Sequence, residues 1–162
     1  MNMQLKKAAQ LVQDVLNNNN LECKVLELPS STRTAIEAAN AIGCEVDQIA
    51  KSLIFRTVSG QPVLVLVSGP NRVNEKTIAS YLGEKIEKAD ADFTRDITGF
   101  AVGGIPPIGH KQAIDFIFID QDLMKFDSIW AAAGTPNAVF NLQSKNLVEM
   151  TEGKIISISP VL

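Results

Sequence analysis

The chain is short of the residues that most enzymes and many binding proteins are built on. It has a single histidine, His110, and two cysteines, Cys23 and Cys44. A Ser-His-Asp or Cys-His set would have to use His110, and no G-x-S-x-G elbow accompanies it. The same shortage leaves no ligand set for a transition metal, and no metal or other cofactor is expected. The cysteines form no CxxC pair and stand in a strand and at a helix end, so a reduced, cytoplasmic compartment is the simpler expectation.

Long apolar runs are also missing. None approaches the roughly 20 residues that would span a bilayer. The N-terminal stretch Met1 to Lys7 is followed by Gln10, Gln13 and Asp14, so no signal-peptide core develops and no membrane partner is expected. There is no basic excess either. A net charge of −3 argues against a protein that coats nucleic acid by bulk electrostatics, yet leaves room for local cations at one RNA end.

What is present is enough for one compact domain. At 162 residues and 46% hydrophobic composition, a chain buries roughly two-thirds of its unfolded surface and needs no staples. No repeat or linker divides it, so residues 1–162 are read as a single domain, with a monomer as the expected state.

Leu5, Ala8, Ala9, Val12, Val15 and Leu16 recur at helical spacing and mark an amphipathic first helix. Cys23 to Leu28 alternates as a strand. Thr34-Ala35-Ile36-Glu37 has the S/T-x-x-E form of a capping box and opens a helix closed by Gly43. A short helix from Val46 to Ala50 then hands over at Lys51 to the strands Ser52–Thr57 and Pro62–Ser68, which turn at Ser59-Gly60. Val63-Leu64-Val65-Leu66-Val67 is apolar throughout, the mark of a strand covered on both faces.

Asn74 caps a helix through Tyr81 and Leu82 that ends at Gly83. A polar stretch with Asp90, Asp92, Arg95 and Asp96 leads to the Gly/Pro loop. Strands are expected at 113–119, 128–133, 138–142 and 154–158, with a helical turn at 144–149. Strands outnumber helices without clean alternation, so the fold class is α+β. Its centre is expected to be a mixed, partly closed, barrel-like sheet surrounded by helices.

Two features stand out chemically. Gly104-Ile105-Pro106-Pro107-Ile108-Gly109-His110-Lys111 is unlike a phosphate-binding loop, because the lysine spacing is wrong and two prolines lack N–H groups. Glycines flanking a stiff Pro-Pro pair could instead aim backbone N–H donors at an oxyanion; a tight structural turn is the alternative. Lys51 shares one strand face with Leu53 and Phe55, which places an amine on an apolar wall. The alternative is a lysine that complements a helix C-terminus in solvent.

Thr34 to Ala39 followed by Ile49-Ala50-Lys51-Ser52-Leu53-Ile54-Phe55, the run Gly99 to His110, and Ala133-Gly134-Thr135-Pro136 through Leu142 together resemble the YbaK-type family. That domain also occurs as the editing insertion of bacterial prolyl-tRNA synthetases. The resemblance covers residues 20 to 160 and implies hydrolysis of the ester joining a wrong amino acid to tRNA, with the 2′-hydroxyl of the tRNA assisting. It puts Lys51 at the family's essential lysine, and Gly103, Pro107 and Gly109 in its G-x-x-x-P-x-G pattern. Gly103, Gly104 and Gly109 would then be the backbone donors, and Thr34, Pro107, His110, Gly134 and Asn137 would surround the substrate.

Arg56, Arg72, Lys76 and Lys111 lie beside these segments and are the candidate RNA contacts. The partner so implied is the 3′ end of an aminoacyl-tRNA, with an aminoacyl-tRNA synthetase as a further one. The branch that removes cysteine carries an acidic residue in the late segment, where this chain has Asn137, Val139 and Asn141. A small residue such as alanine, serine or threonine is the better-matched substrate. A silent module of the same fold that only binds aminoacyl-tRNA or a synthetase is the alternative.

Overall fold

A computed structural model describes residues 5–158, so the two ends of the expected single domain, 1–4 and 159–162, lie outside it. Its sheet has the strand order β1-β7-β6-β2-β3-β5-β8, in which β1 (Val25–Glu27), β2 (Ile49–Thr57), β3 (Pro62–Ser68), β5 (Phe116–Asp120), β6 (Ser128–Ala132), β7 (Ala138–Gln143) and β8 (Lys154–Ile156) follow one path. β4 (Ile86–Lys88) lies off this path and pairs with β2. Parallel pairs (β2 with β6, β3 with β5, β5 with β8) mix with antiparallel ones. β1 and β8 end the path without pairing to each other, so the mixed α+β sheet stays open.

Helices cover both faces. On one, α1 (Lys7–Asn18) and α5 (Ser144–Thr151) bury Ala9, Val12, Leu16 and Leu147 against Ile54, Leu64, Leu66 and Phe140. On the other, Ile78 of α3 (Glu75–Leu82) packs with Phe55, Val63, Val65 and Val67. The residues Val63 to Val67 are thus split between two cores and are fully buried, as an unbroken apolar run requires. Removing a Leu64-sized side chain from such a site costs about 2–5 kcal/mol.

Local signals set the helix ends. Asn74 accepts from the Lys76 N–H, and Gly83 closes α3 at φ 78°. At α2 (Ala35–Ile42), Thr34 Oγ1 accepts from the Glu37 N–H at 3.1 Å. The capping box is only half made, because the Glu37 carboxylate takes the Thr34 hydroxyl proton at 3.1 Å instead of the Thr34 N–H.

Three expectations change. The helix expected at 46–50 is a single 3-10 turn, Val46–Gln48, and β2 starts at Ile49, so Lys51 stands inside a strand and not at a helix end. Arg95 and its polar neighbours form α4 (Ala91–Thr98), capped by Asp90 accepting from the Phe93 N–H and closed by Gly99 at φ 82°. A second 3-10 segment, Gln121–Lys125, follows β5.

Among the described residues no helix is long and apolar enough to cross a membrane. Cys23 and Cys44 are free thiols, and burial raises the pKa of both.

Candidate active site

β2 has a divided edge. Its first residues, Ile49 and Ala50, pair with Trp130 and Ala131 of β6, while Phe55, Arg56 and Thr57 pair with β4. Between them, at Lys51 to Leu53, no strand pairs with β2 on that side. A cavity of about 430 Å³ opens at this place, within the size range of small-molecule sites. Lys51, Ser52 and Leu53 form one wall; Thr34, Ala35 and Ile36 at the start of α2 form another; Val102, Gly103 and Ile105 form a third. The lining is mostly apolar, holds the cations Lys51 and Arg33, and includes no carboxylate. The first N–H groups of α2 add positive character, since a helix start has donors without intrahelical acceptors.

Lys51 is half-buried and its Nζ donates to the Asn71 carbonyl at 2.8 Å. Burial lowers its pKa, the nearby Arg72 charge lowers it further, and Asp120 opposes both. Asn71 is itself clamped: its Nδ2 donates to Asp120 Oδ2 at 2.8 Å and to Asp122 Oδ2 at 2.7 Å. The buried Asp120 also accepts from the Ser68 N–H at 3.1 Å and, through Oδ1, from the Asp122 N–H at 3.0 Å. A carboxylate that accepts from this many donors holds the 68–72 turn in place, and with it the acceptor for Lys51.

The glycines divide by role. Gly103 sits at φ +95°, and a β-carbon there would come within 2.9 Å of Arg33 Cγ. The aliphatic stem of Arg33 therefore lies over Gly103, at the cavity. Gly104 has its N–H occupied by the Ala101 carbonyl at 3.2 Å, and its own carbonyl accepts from the Gly134 N–H at 2.8 Å. A β-carbon at 104 would stand 3.0 Å from the Thr135 backbone. Gly104 and Gly134 thus weld two turns together, and the expected donor at Gly104 is spent inside the fold. Gly109, at φ +80°, packs on Val15 of α1.

His110 points into its own loop. Its Nε2 shares a hydrogen with the Pro106 carbonyl at 2.7 Å, so Nε2–H is the donor. Burial lowers its pKa and that hydrogen bond partly offsets the effect. Asn137 Nδ2 donates to the Leu28 carbonyl at 2.9 Å, and its Oδ1 accepts from Thr135 Oγ1 at 3.1 Å. Thr32 Oγ1 donates to the Pro136 carbonyl at 3.0 Å. These bonds stitch the 28–34 strap to the 134–137 turn and so set where Arg33 and Thr34 stand.

Of the residues expected from sequence, Lys51, Gly103 and Thr34 line one cavity. Gly104, Pro107, Gly109, His110, Gly134 and Asn137 do not line it. Arg72 is near Lys51. Lys76 lies in the first turn of α3, and Lys111 donates its N–H to the Thr98 carbonyl. Arg56 is five residues along β2 from Lys51, about 17 Å for an extended strand, and stacks on the Phe93 ring at 5.1 Å. Sequence reading missed Arg33, Ser52, Asn71 and Asp120. Asp120 had one visible sign, a carboxylate closing the apolar strand Phe116-Ile117-Phe118-Ile119.

Comparison with known proteins identifies the family and the fold. The model of the aminoacyl-tRNA editing domain matches residues 29–150. A crystal structure of a proposed trans-editing enzyme for prolyl-tRNA synthetase superposes with a TM-score of 0.92 at 40% identity, covering 98% of this chain and 100% of that one. YwhH of Bacillus subtilis (strain 168), an uncharacterized protein, is 29% identical over 136 residues, 84% of this chain and 86% of its own. The proline–tRNA ligase of Maridesulfovibrio salexigens is 34% identical over 116 residues, which are 70% of this chain and only 19% of the ligase. The chain belongs to the aminoacyl-tRNA editing domain family.

Proposed function

We propose that the protein is a free-standing aminoacyl-tRNA deacylase that works in the cytoplasm, as a monomer, and clears a small amino acid from mischarged tRNA. The observation that carries this reading is the cavity itself: apolar walls, Lys51 held by the Asn71 carbonyl, Arg33 at its side and no carboxylate in the lining. Such a space suits a small side chain within and the anionic 3′ end of tRNA at the rim.

An aminoacyl ester is already activated, so it needs positioning more than a triad. Water adds to the ester carbonyl carbon, the bond to the ribose oxygen breaks, and the proton lost by the water reaches that departing oxygen. The ribose 2′-hydroxyl is the group placed to relay it. Free amino acid and intact tRNA result. Lys51 positions the terminal phosphate or ribose and is not the nucleophile.

Small alanine floors at Ala50 and Ala132, with Leu53 and Ile105 beside them, favour a small aliphatic group. Synthetase pockets separate such residues by only about 1–3 kcal/mol, which is why a second sieve is useful. Its partner is an aminoacyl-tRNA, alone or presented beside a synthetase.

The test is a panel of tRNAs charged with alanine, serine, threonine, cysteine, proline and phenylalanine, followed for loss of the amino acid. At least one small residue should be released faster than phenylalanine. Binding without hydrolysis of any member would replace the enzyme by a silent binding module.

A further inference from the structure

Ser52 Oγ is the one buried side-chain nitrogen or oxygen among the described residues that has no hydrogen-bond partner. Native proteins leave few such atoms, and each calls for a reason. This one belongs to the residue that follows Lys51 in β2 and lines the same cavity.

The main chain of Ser52 is also unclaimed. Thr57 donates its N–H to the Gln61 carbonyl, and the register pairs Phe55 with Val63, Leu53 with Val65 and Lys51 with Val67. In an antiparallel ladder, pairs that exchange hydrogen bonds alternate with pairs that do not. Thr57, Phe55, Leu53 and Lys51 therefore bond to β3, whereas Ile54, Ser52 and Ala50 direct their N–H and C=O to the other side. The Ile54 carbonyl, which accepts from the Ala89 N–H at 3.2 Å, confirms that parity. On that side Ala50 is taken by β6 and Phe55 to Thr57 by β4, and Ser52 falls in the gap.

We propose that Ser52 is the docking point for the aminoacyl group, which pairs with it as a one-residue strand. An aminoacyl ester carries an amine donor and a carbonyl acceptor on either side of one α-carbon, as a strand residue does. The Ser52 C=O would accept from the substrate α-amine, the Ser52 N–H would donate to the ester carbonyl, and the hydroxyl would give the amine a second acceptor. No carboxylate lines the cavity to do this by charge. The same N–H then stabilises the developing oxyanion, the task that the occupied N–H of Gly104 cannot perform.

This inference rests on the deacylase reading, and its test separates the two. The probes are 3′-(alanylamino)-3′-deoxyadenosine, a non-hydrolysable analogue, and its N-acetyl derivative. Both are titrated into the whole chain with amide chemical shifts recorded. The free-amine probe should move the Ser52 amide downfield and bind about tenfold tighter than the acetylated one, the worth of one hydrogen bond. Ser52→Ala should fold as well as the wild type and remove most of that tenfold preference. Ser52→Pro removes the hydroxyl together with the N–H that faces the gap, and should slow deacylation of the best panel substrate by about 10²–10³ beyond Ser52→Ala.

Equal binding of the two probes, or a Ser52 amide that stays unmoved, would overturn the proposal. If Ser52→Pro does not fold, the amide shift and Ser52→Ala decide it. A protein inactive on every mischarged tRNA would sink the deacylase reading while the probe titration still judged Ser52.

Discussion

Lys51 Nζ and the Asn71 carbonyl, 2.8 Å apart, join the middle of β2 to the turn after β3. The Asn71 side chain is in turn held between Asp120 and Asp122. The amine is therefore placed by a buried carboxylate two steps away. Asn71→Ala keeps the carbonyl and loses the clamp, leaving Asp120 short of a donor. It should cost about 1–3 kcal/mol in urea unfolding and lower deacylation less than Lys51→Ala does. An unchanged midpoint would show that the clamp does not stabilise the fold.

Lys51 itself is held at a cost, since burial pushes its pKa down. Lys51→Met, of similar length and without the charge, should lose deacylation while the melting temperature stays the same or rises. A depressed lysine pKa makes stability rise with pH between the folded and unfolded pKa values, because the unfolded chain holds the extra proton. Wild type should show this alkaline rise below about pH 10.4, and Lys51→Met should lack it.

The neighbouring glycines should respond differently. At Gly103 the obstacle is the flexible Arg33 stem, whereas at Gly104 it is backbone. Gly103→Ala still suffers from its positive φ, about 1 kcal/mol. Gly104→Ala forces the 134–135 turn to move and should cost more, about 1–3 kcal/mol. Thermal unfolding of the two variants gives the order directly.

His110 supplies an acid-side prediction. Its pKa is lowered by burial, so the folded state resists the proton and the unfolded state accepts it. The stability tied to its neutral form is complete above about pH 6.5 and is lost as pH falls through the lowered folded value. Between pH 7 and 5 the wild type should lose more stability than His110→Gln. Parallel slopes would mean that His110 does not titrate on unfolding.

Arg33 and Arg56 should separate in an RNA assay. Arg33 lines the cavity and Arg56 lies far along β2 on the Phe93 ring. Arg33→Ala should weaken binding of aminoacyl-tRNA and reduce the salt slope by about one, and Arg56→Ala should leave both unchanged.

Sequence was informative where one local feature carries the structure. The unbroken apolar Val63–Val67 run, the Asn74 and Gly83 helix ends, and the Gly/Pro loop at 103–109 each lie in one short window. α4 was hidden because Asp92, Arg95 and Asp96 are interleaved with its few inward residues, of which only Phe93 and Ile97 are apolar, although Asp90 and Gly99 bracketed it. Asn71, Asp120 and Arg33 were hidden for another reason: their roles depend on partners 20 to 70 residues away, which only the sheet register brings together. Ser52 needed more still, since its free main chain follows from where β6 leaves β2 and β4 joins it.

The most direct test of the account is single-turnover deacylation of the best substrate from the panel by wild type and Lys51→Ala. Lys51→Ala should be slower by at least about 100-fold with an unchanged melting temperature, the scale of losing a positioning group. Equal rates in the two proteins would place the chemistry outside this cavity and contradict it.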